Sequence, residues 1–398
     1  MLKRALLREM GASQPSAQVA AQELGASSAC PPKAAHGPPG AANAIEAVGS
    51  HIVPKLWGGE KVCNRPTPKS NMMSLPPPPP SPSPSPSPSP PPSSTRVVLA
   101  TGGYDHTVRM WDASSGVCYK SFLHADKQVN SLCVTADKAH VAAGGNPLLR
   151  WYDVNAKGAE PLLTFSGHAS NVMSVGVERS ARFLFSGSED GTIRIWDPRA
   201  GAASVREYDA RRAVNSVALH PNQGELISGD HSGAVRVWDL VANKCSSELV
   251  PEGDTPVSSV TIAADASLVA AANYNGTCFF WAPPSEGGRD YVPVKKLRAH
   301  RAYITSCRLS PDAHYFATTS SDRTMRLWNT HDFSLAATLT GHARWVWDAA
   351  FSADSSYVVT ASSDMTARLW HIANAAAVRT YAGHVKGVTA VALNDAMA

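Results

Sequence analysis

Ser186-Gly187-Ser188-Glu189-Asp190-Gly191-Thr192-Ile193-Arg194-Ile195-Trp196-Asp197 reads as the end of one strand, a tight turn holding an aspartate, and a second strand that closes on tryptophan. The stretch returns in altered form, most clearly at Thr101 to Asp112, Thr318 to Asn329 and Thr360 to His371. Its tryptophan, or a tyrosine in its place, falls at 111, 152, 196, 238, 281, 328 and 370, at intervals of 41, 44, 42, 43, 47 and 42 residues. That period, closing on Trp-Asp, belongs to four-stranded blades arranged around an axis. Seven copies predict an all-β, seven-bladed propeller.

The order expected in each repeat is a Gly-His loop, strand a nearest the axis, strand b, the aspartate turn, strand c ending in Trp, then strand d. The first copy begins at Val97-Val98-Leu99-Ala100-Thr101, which aligns with strand b. The last, Gly383 to Leu393, supplies only a strand a. These halves complement each other, so the C-terminal strand should complete the first blade and remove two open sheet edges. The predicted blades combine 385–393 with 96–123, then run 125–166, 169–208, 211–250, 255–297, 301–339 and 343–381. The 47-residue interval marks an insertion around Pro283 to Pro293, between strands c and d of the fifth blade. It reads either as a partner-contacting loop or as a neutral insertion.

Two domains are expected, 1–95 and 96–398. The first is rich in Ala, Gly, Ser and Pro and ends in Pro76 to Pro80 followed by alternating Ser-Pro through Pro92. Proline fixes φ and removes the amide donor, so this run forms at most an extended spacer, and the whole extension is expected to be disordered. Residues 1–95 carry 8 Lys/Arg and 4 Asp/Glu, which leaves 28 of each sign for the rest. A formally neutral propeller without a basic run gives no footprint for nucleic acid or an anionic membrane. No stretch approaches a membrane span, and Met1 to Met10 lacks the apolar core of a secretory signal, although its composition also fits an organellar transit peptide. The seven cysteines form no C-x-x-C pair, which suits a reduced intracellular compartment.

Aligning the copies yields four polar sets: Thr101, Asp105, Trp111 and His384; Ser186, Asp190, Trp196 and His168; Thr318, Asp322, Trp328 and His300; Thr360, Asp364, Trp370 and His342. A hydroxyl, an imidazole and a carboxylate suggest a hydrolase triad. A triad occurs once, however, whereas these sets recur with the repeat, which marks them as internal braces that satisfy buried polar groups. The second blade has Ala142, Asn146 and Tyr152 at the equivalent positions, the fourth has Ser232 and no His, and the fifth has Ala271 and Asn275 without His. Those three should rely more on apolar stacking. The sequence carries no phosphate-binding loop, nucleophile elbow or metal motif. No catalytic activity, cofactor, metal or small-molecule substrate is expected.

The chain resembles the WD-repeat family over about 96–398. Ala100 to Trp111, Leu219 to Ala234 and Thr360 to Trp370 are similar in particular to the WD-repeat subunits of the target-of-rapamycin kinase complexes, and the similarity includes the blades that depart from the consensus. The resemblance implies a non-catalytic scaffold that docks on an insertion in the carboxy-terminal lobe of the kinase domain, supports its cleft, and serves nutrient and growth signalling. It implies a cytoplasmic protein, or one peripheral at endomembranes through its complex. Candidate contacts, chosen at the start of strand a or just before the turn aspartate on one face, are Tyr104, Gln128, Asn130, Asn171, Tyr274, Arg301, Tyr303, Arg344, Trp345 and Trp347. For Trp345 and Trp347, packing into the channel stays open as the other reading. Two alternatives compete with the kinase-complex reading. One is a G-protein β-like scaffold, against which the proline content and missing heptads of 1–95 argue. The other is a substrate receptor of a cullin-based ubiquitin ligase, suggested by Trp196-Asp197-Pro198-Arg199.

Overall fold

The computed structural model describes residues 97–124, 127–251, 254–283 and 291–396. The predicted extension at 1–95 and residues 284–290 of the insertion lie outside them. Strand pairing follows the repeat: the described strands form seven four-stranded antiparallel sheets. Blade three shows the pattern, with strand a at Val172–Val177, b at Leu184–Ser188, c at Thr192–Trp196 and d at Ser204–Asp209. Short apolar strands punctuated by Asp, Ser and Gly turns leave each sheet too small to bury itself, so burial happens between sheets.

Accordingly, the hydrophobic core is divided into seams. Leu99, Trp111, Tyr357, Leu369, Tyr381 and Val388 join blades one and seven. Ile227, Val237, Val257, Val269, Phe279 and Trp281 join blades four and five. Close approach is needed at some seams: a Cβ on Gly229 of blade four would stand 2.4 Å from the Val257 Cγ1 of blade five.

The ring closes as the half-repeats require. Val388–Asn394 pairs antiparallel with Val98–Gly103, Leu393 opposite Leu99 and Val391 opposite Thr101. In blades three to seven, strand a carries a register shift near its start, for example between Val172 and Ser174, Val214 and Ser216, and Val346 and Asp348. A bulge places one extra residue between ladder partners and re-aims its side chain. Met173, Asn215, Ser258, Thr305 and Trp347 occupy these extra positions, and all five line the central channel. No described helix is long and apolar enough to cross a membrane.

Candidate functional site

The four polar sets assemble with one geometry. In blade three His168 Nδ1 lies 2.8 Å from Asp190 Oδ2, its Nε2 lies 2.8 Å from Ser186 Oγ, and Trp196 Nε1 donates to that hydroxyl at 2.8 Å. Blade one matches it across the chain ends: His384 contacts Asp105 at 2.8 Å and Thr101 at 2.7 Å, and Trp111 donates to Thr101 at 2.7 Å. In blades six and seven, His300 bridges Asp322 and Thr318, His342 bridges Asp364 and Thr360, and Trp328 and Trp370 donate to the hydroxyls. The indole N–H can only donate, so the hydroxyl accepts from it and donates its proton to Nε2, leaving Nδ1–H for the carboxylate. Thr101, Ser186, Thr318 and Thr360 are each 0 % exposed, so no substrate atom can reach them.

Burial by itself would raise the Asp190 carboxyl, but hydrogen bonds from the Thr192 hydroxyl, the Ala169 amide and His168 outweigh it and hold the group down to about 2. Asp105, Asp322 and Asp364 lie well below the usual carboxylate range because the same kinds of bond overcome their burial. Burial pushes His168 down, against the pull of Asp190.

The blades without a full set are not all left to apolar stacking. In blade four Trp238 Nε1 still donates to Ser228 Oγ at 2.8 Å, and a carboxylate reappears two residues early: Asp230 accepts from the Ser232 amide at 2.9 Å and from the Arg236 guanidinium. Arginine has taken over from histidine, which corrects the expectation for this blade. In blade two His124 Nδ1 lies 3.2 Å from Tyr152 Oη. In blade five Asn273 Oδ1 accepts from the Thr277 amide at 3.0 Å, beside the buried Ala271.

The inner strands are stitched around the axis. The hydroxyls of Ser131, Ser174 and Ser216 each accept from a backbone amide of the next blade, Val175, Val217 and Val260, at 3.1 Å. Asp348 extends this ring in blade seven: it accepts from Ser306 Oγ at 3.0 Å, from Arg308 at 3.4 Å and from the Val391 amide of the closing strand at 3.3 Å.

The face that carries the d–a loops and the b–c turns surrounds the mouth of a channel of about 430 Å³. Tyr104, Tyr303 and Trp345 are 39 %, 53 % and 44 % exposed there. Trp347 meets Tyr104 edge-on at 6.5 Å and Trp345 at 5.6 Å, while Tyr274 meets Tyr303 at 5.9 Å. These five predicted contacts form an aromatic collar over blades five, six, seven and one, with Arg301 and Arg344 exposed beside it. Trp345 lines the mouth of the channel together with Trp347, but it precedes strand a (Val346–Phe351) and is exposed, so it is not packed inside. Trp347 sits at the bulge, half-buried, and donates to Ser363 Oγ at 2.5 Å. Gln128, Asn130 and Asn171 fall apart from the collar, on blades two and three, where they are engaged: Gln128 donates to Asn171, Asn171 to Glu189, and Asn130 to the Val172 carbonyl.

Sequence reasoning passed over Arg323 and Ser363, which flank Trp345 and Arg344 in a hollow of the same face. A signal for Arg323 was present. It occupies the turn position held by Gly191, Gly233 and Gly276 in other copies, and its φ is 74° against 84°, 92° and 84° for those glycines.

The family described as "WD domain, G-beta repeat" matches residues 89–112, 159–197, 203–239, 291–329 and 333–371, leaving most of blade two and the body of blade five unmatched. The chain is 49% identical over 239 residues to "Target of rapamycin complex subunit wat1" of Schizosaccharomyces pombe, covering 60% of this chain and 76% of that relative. It is 48% identical over 245 residues to "Target of rapamycin complex subunit LST8" of Saccharomyces cerevisiae, 61% of this chain and 80% of the relative. It is also 45% identical over 248 residues to an Arabidopsis thaliana protein named "Non-functional target of rapamycin complex subunit LST8-2", 61% of this chain and 79% of the relative. Alignment on this scale spans repeats that keep the polar sets and repeats that lack them, beyond what a generic Trp-Asp signature supplies. This non-catalytic propeller therefore belongs to the LST8 family of WD-repeat proteins.

Proposed function

We propose that the protein is a scaffold subunit of target-of-rapamycin kinase complexes, docking through its collared face on the kinase domain, stabilising it and supporting nutrient and growth signalling. The observation that carries this reading is the collar itself. Tyr, Trp and Arg dominate interface hot spots, and here they stand exposed on one face of a body whose loops are tied down by the buried polar sets. A surface already ordered binds without a large ordering cost, as a platform for a much larger enzyme requires. The relatives' names point to the same assembly.

The ligase-receptor alternative has less support. Its motif lies on the opposite face, where Arg199 is turned back on Asp197 in a two-point contact at 3.0 Å. Affinity purification of the tagged full-length protein is the test. Recovery of a giant kinase of the phosphatidylinositol-kinase-like class, co-fractionating with the cytoplasm or with endomembranes, is expected; a ligase adaptor or a γ chain as the dominant partner would overturn the proposal.

A further inference from the structure

Between blades six and seven, Ser321, Arg323, Arg344, Trp345 and Ser363 enclose a shallow hollow on the rim of the collared face. Both arginines are exposed, and among the described residues no carboxylate pairs with either. Asp322 and Asp364, the carboxylates adjoining Arg323 and Ser363 in the chain, are turned inward onto His300 and His342 at 2.8 Å, and Asp348, four residues after Arg344, is held by Ser306 and Arg308. The positive charge of the hollow is therefore left facing solvent.

The backbone adds a second observation. At the turn position where blades three, four and five have glycine, blades one, six and seven hold His106, Arg323 and Met365 in the left-handed region, at φ of 62°, 74° and 71°. A side chain there costs energy that glycine avoids. Those three blades carry Tyr104, Tyr303, Trp345 and Trp347, so the strained side chains border the collar. In blade six this turn carries a side chain where blades three, four and five have none, and it brings the Arg323 guanidinium into the hollow beside Trp345.

We infer that this hollow receives a carboxylate side chain from an acidic segment of the docked polypeptide, with Arg323 and Arg344 as the cationic clamp and Trp345 as the apolar wall beside it. The inference rests on the reading that the collared face docks the kinase, and specifies the chemistry of what docks. Guanidinium groups suit carboxylates because their planar forks match two oxygens, and a clamp at an interface rim governs association rate and salt dependence. A polynucleotide fits less well. The two cations flank a tryptophan instead of tracking along a groove, whereas a phosphate backbone needs several spaced neutralising contacts.

The test uses full-length protein and the purified kinase. Affinity is measured at low and high salt for wild type, for the pair Arg323→Glu with Arg344→Glu, and for Trp345→Ala, each checked for a retained fold. A fluorescent single-stranded oligonucleotide is titrated in parallel. Expected for the charge-reversed pair is a loss of about tenfold or more at low salt and a flattened salt dependence. Unchanged affinity in the pair with strong loss in Trp345→Ala would overturn the acidic-segment inference while leaving the docking face standing. No effect of either would overturn both. Tight oligonucleotide binding that vanishes in the pair, with kinase affinity retained, would assign the hollow to nucleic acid and overturn the inference.

Discussion

His384 Nε2 lies 2.7 Å from Thr101 Oγ1, although 283 positions separate the two residues in the chain. This contact, the Asp105 contact beside it, and the pairing of Val388–Asn394 with Val98–Gly103 make the first blade from both ends of the propeller. His384→Ala should destabilise the fold by about 1–3 kcal/mol, because Thr101 and Asp105 lose a buried partner. A double-mutant cycle with Thr101→Val should show coupling, whereas additive effects would mean that the brace contributes nothing. Truncation before His384 should yield an aggregating protein, since it exposes the edge of Val98–Gly103.

The acid side of the stability profile follows from the polar sets. Asp190 is held at about 2 in the fold, below its ordinary value, so its contribution is fully present above the unfolded value of about 3.9 and is lost as pH falls from there toward about 2. His168 is pushed down by burial, so acidification also favours the unfolded state, which takes up a proton from about pH 6.5 downward. Both effects have the same sign. Melting temperature should decline gently below about 6.5 and steeply below about 4. Asp190→Asn should flatten the steeper limb, and an unaltered limb would contradict the assignment.

Asp348 is the point where the inner stitching meets the ring closure. Asp348→Ala leaves Ser306, Arg308 and the Val391 amide without their acceptor. The expected loss is about 1–3 kcal/mol, below that of a fully buried pair, because Arg308 keeps access to channel water. Hydrogen exchange gives a local readout: the Val391 amide should exchange faster, while the Val175 amide of blade three, held by Ser131 of blade two, should not.

In blade four, Arg236→Ala should behave like loss of a histidine brace elsewhere. Asp230 would keep the Ser232 amide but lose its cation, at a cost of about 1–3 kcal/mol. Arg236→Lys should restore only part of it, since an ammonium cannot span Asp230 and Glu248 as the guanidinium does. Denaturant unfolding of the two variants checks this, and equal stability of wild type and Arg236→Ala would refute the replacement of histidine by arginine.

What the sequence made legible is what repeats. The spacing from Trp111 to Trp370 and the half-repeats at Val97 and Gly383 carry enough register to specify seven blades and their closure, because a strand slipped by one residue would turn its apolar face to water. The histidine braces were readable for the same reason. Arg236 was not, since its carboxylate partner moved two positions, to Asp230, and left the expected site to Ser232. The serine ring escaped notice because Ser131, Ser174 and Ser216 resemble ordinary strand residues until the next blade's amide is in place. The bulge before Asp348 decided the orientation of Trp347, and a bulge is a property of two paired strands, not of one segment.

The central claim is that one face of this ring, the collared one, meets the kinase. Tyr104→Ala with Trp345→Ala on that face should leave the protein folded with a loss of only about 1–3 kcal/mol, because each ring is partly exposed and gives up one contact with Trp347. Val241→Asp, on the opposite face at an 89 % exposed position, serves as the control. Quantitative recovery of the kinase with each tagged full-length protein is the direct measurement. Loss of the kinase from the Tyr104/Trp345 variant alone is the predicted result; equal recovery from both variants, or loss only from Val241→Asp, would contradict the account.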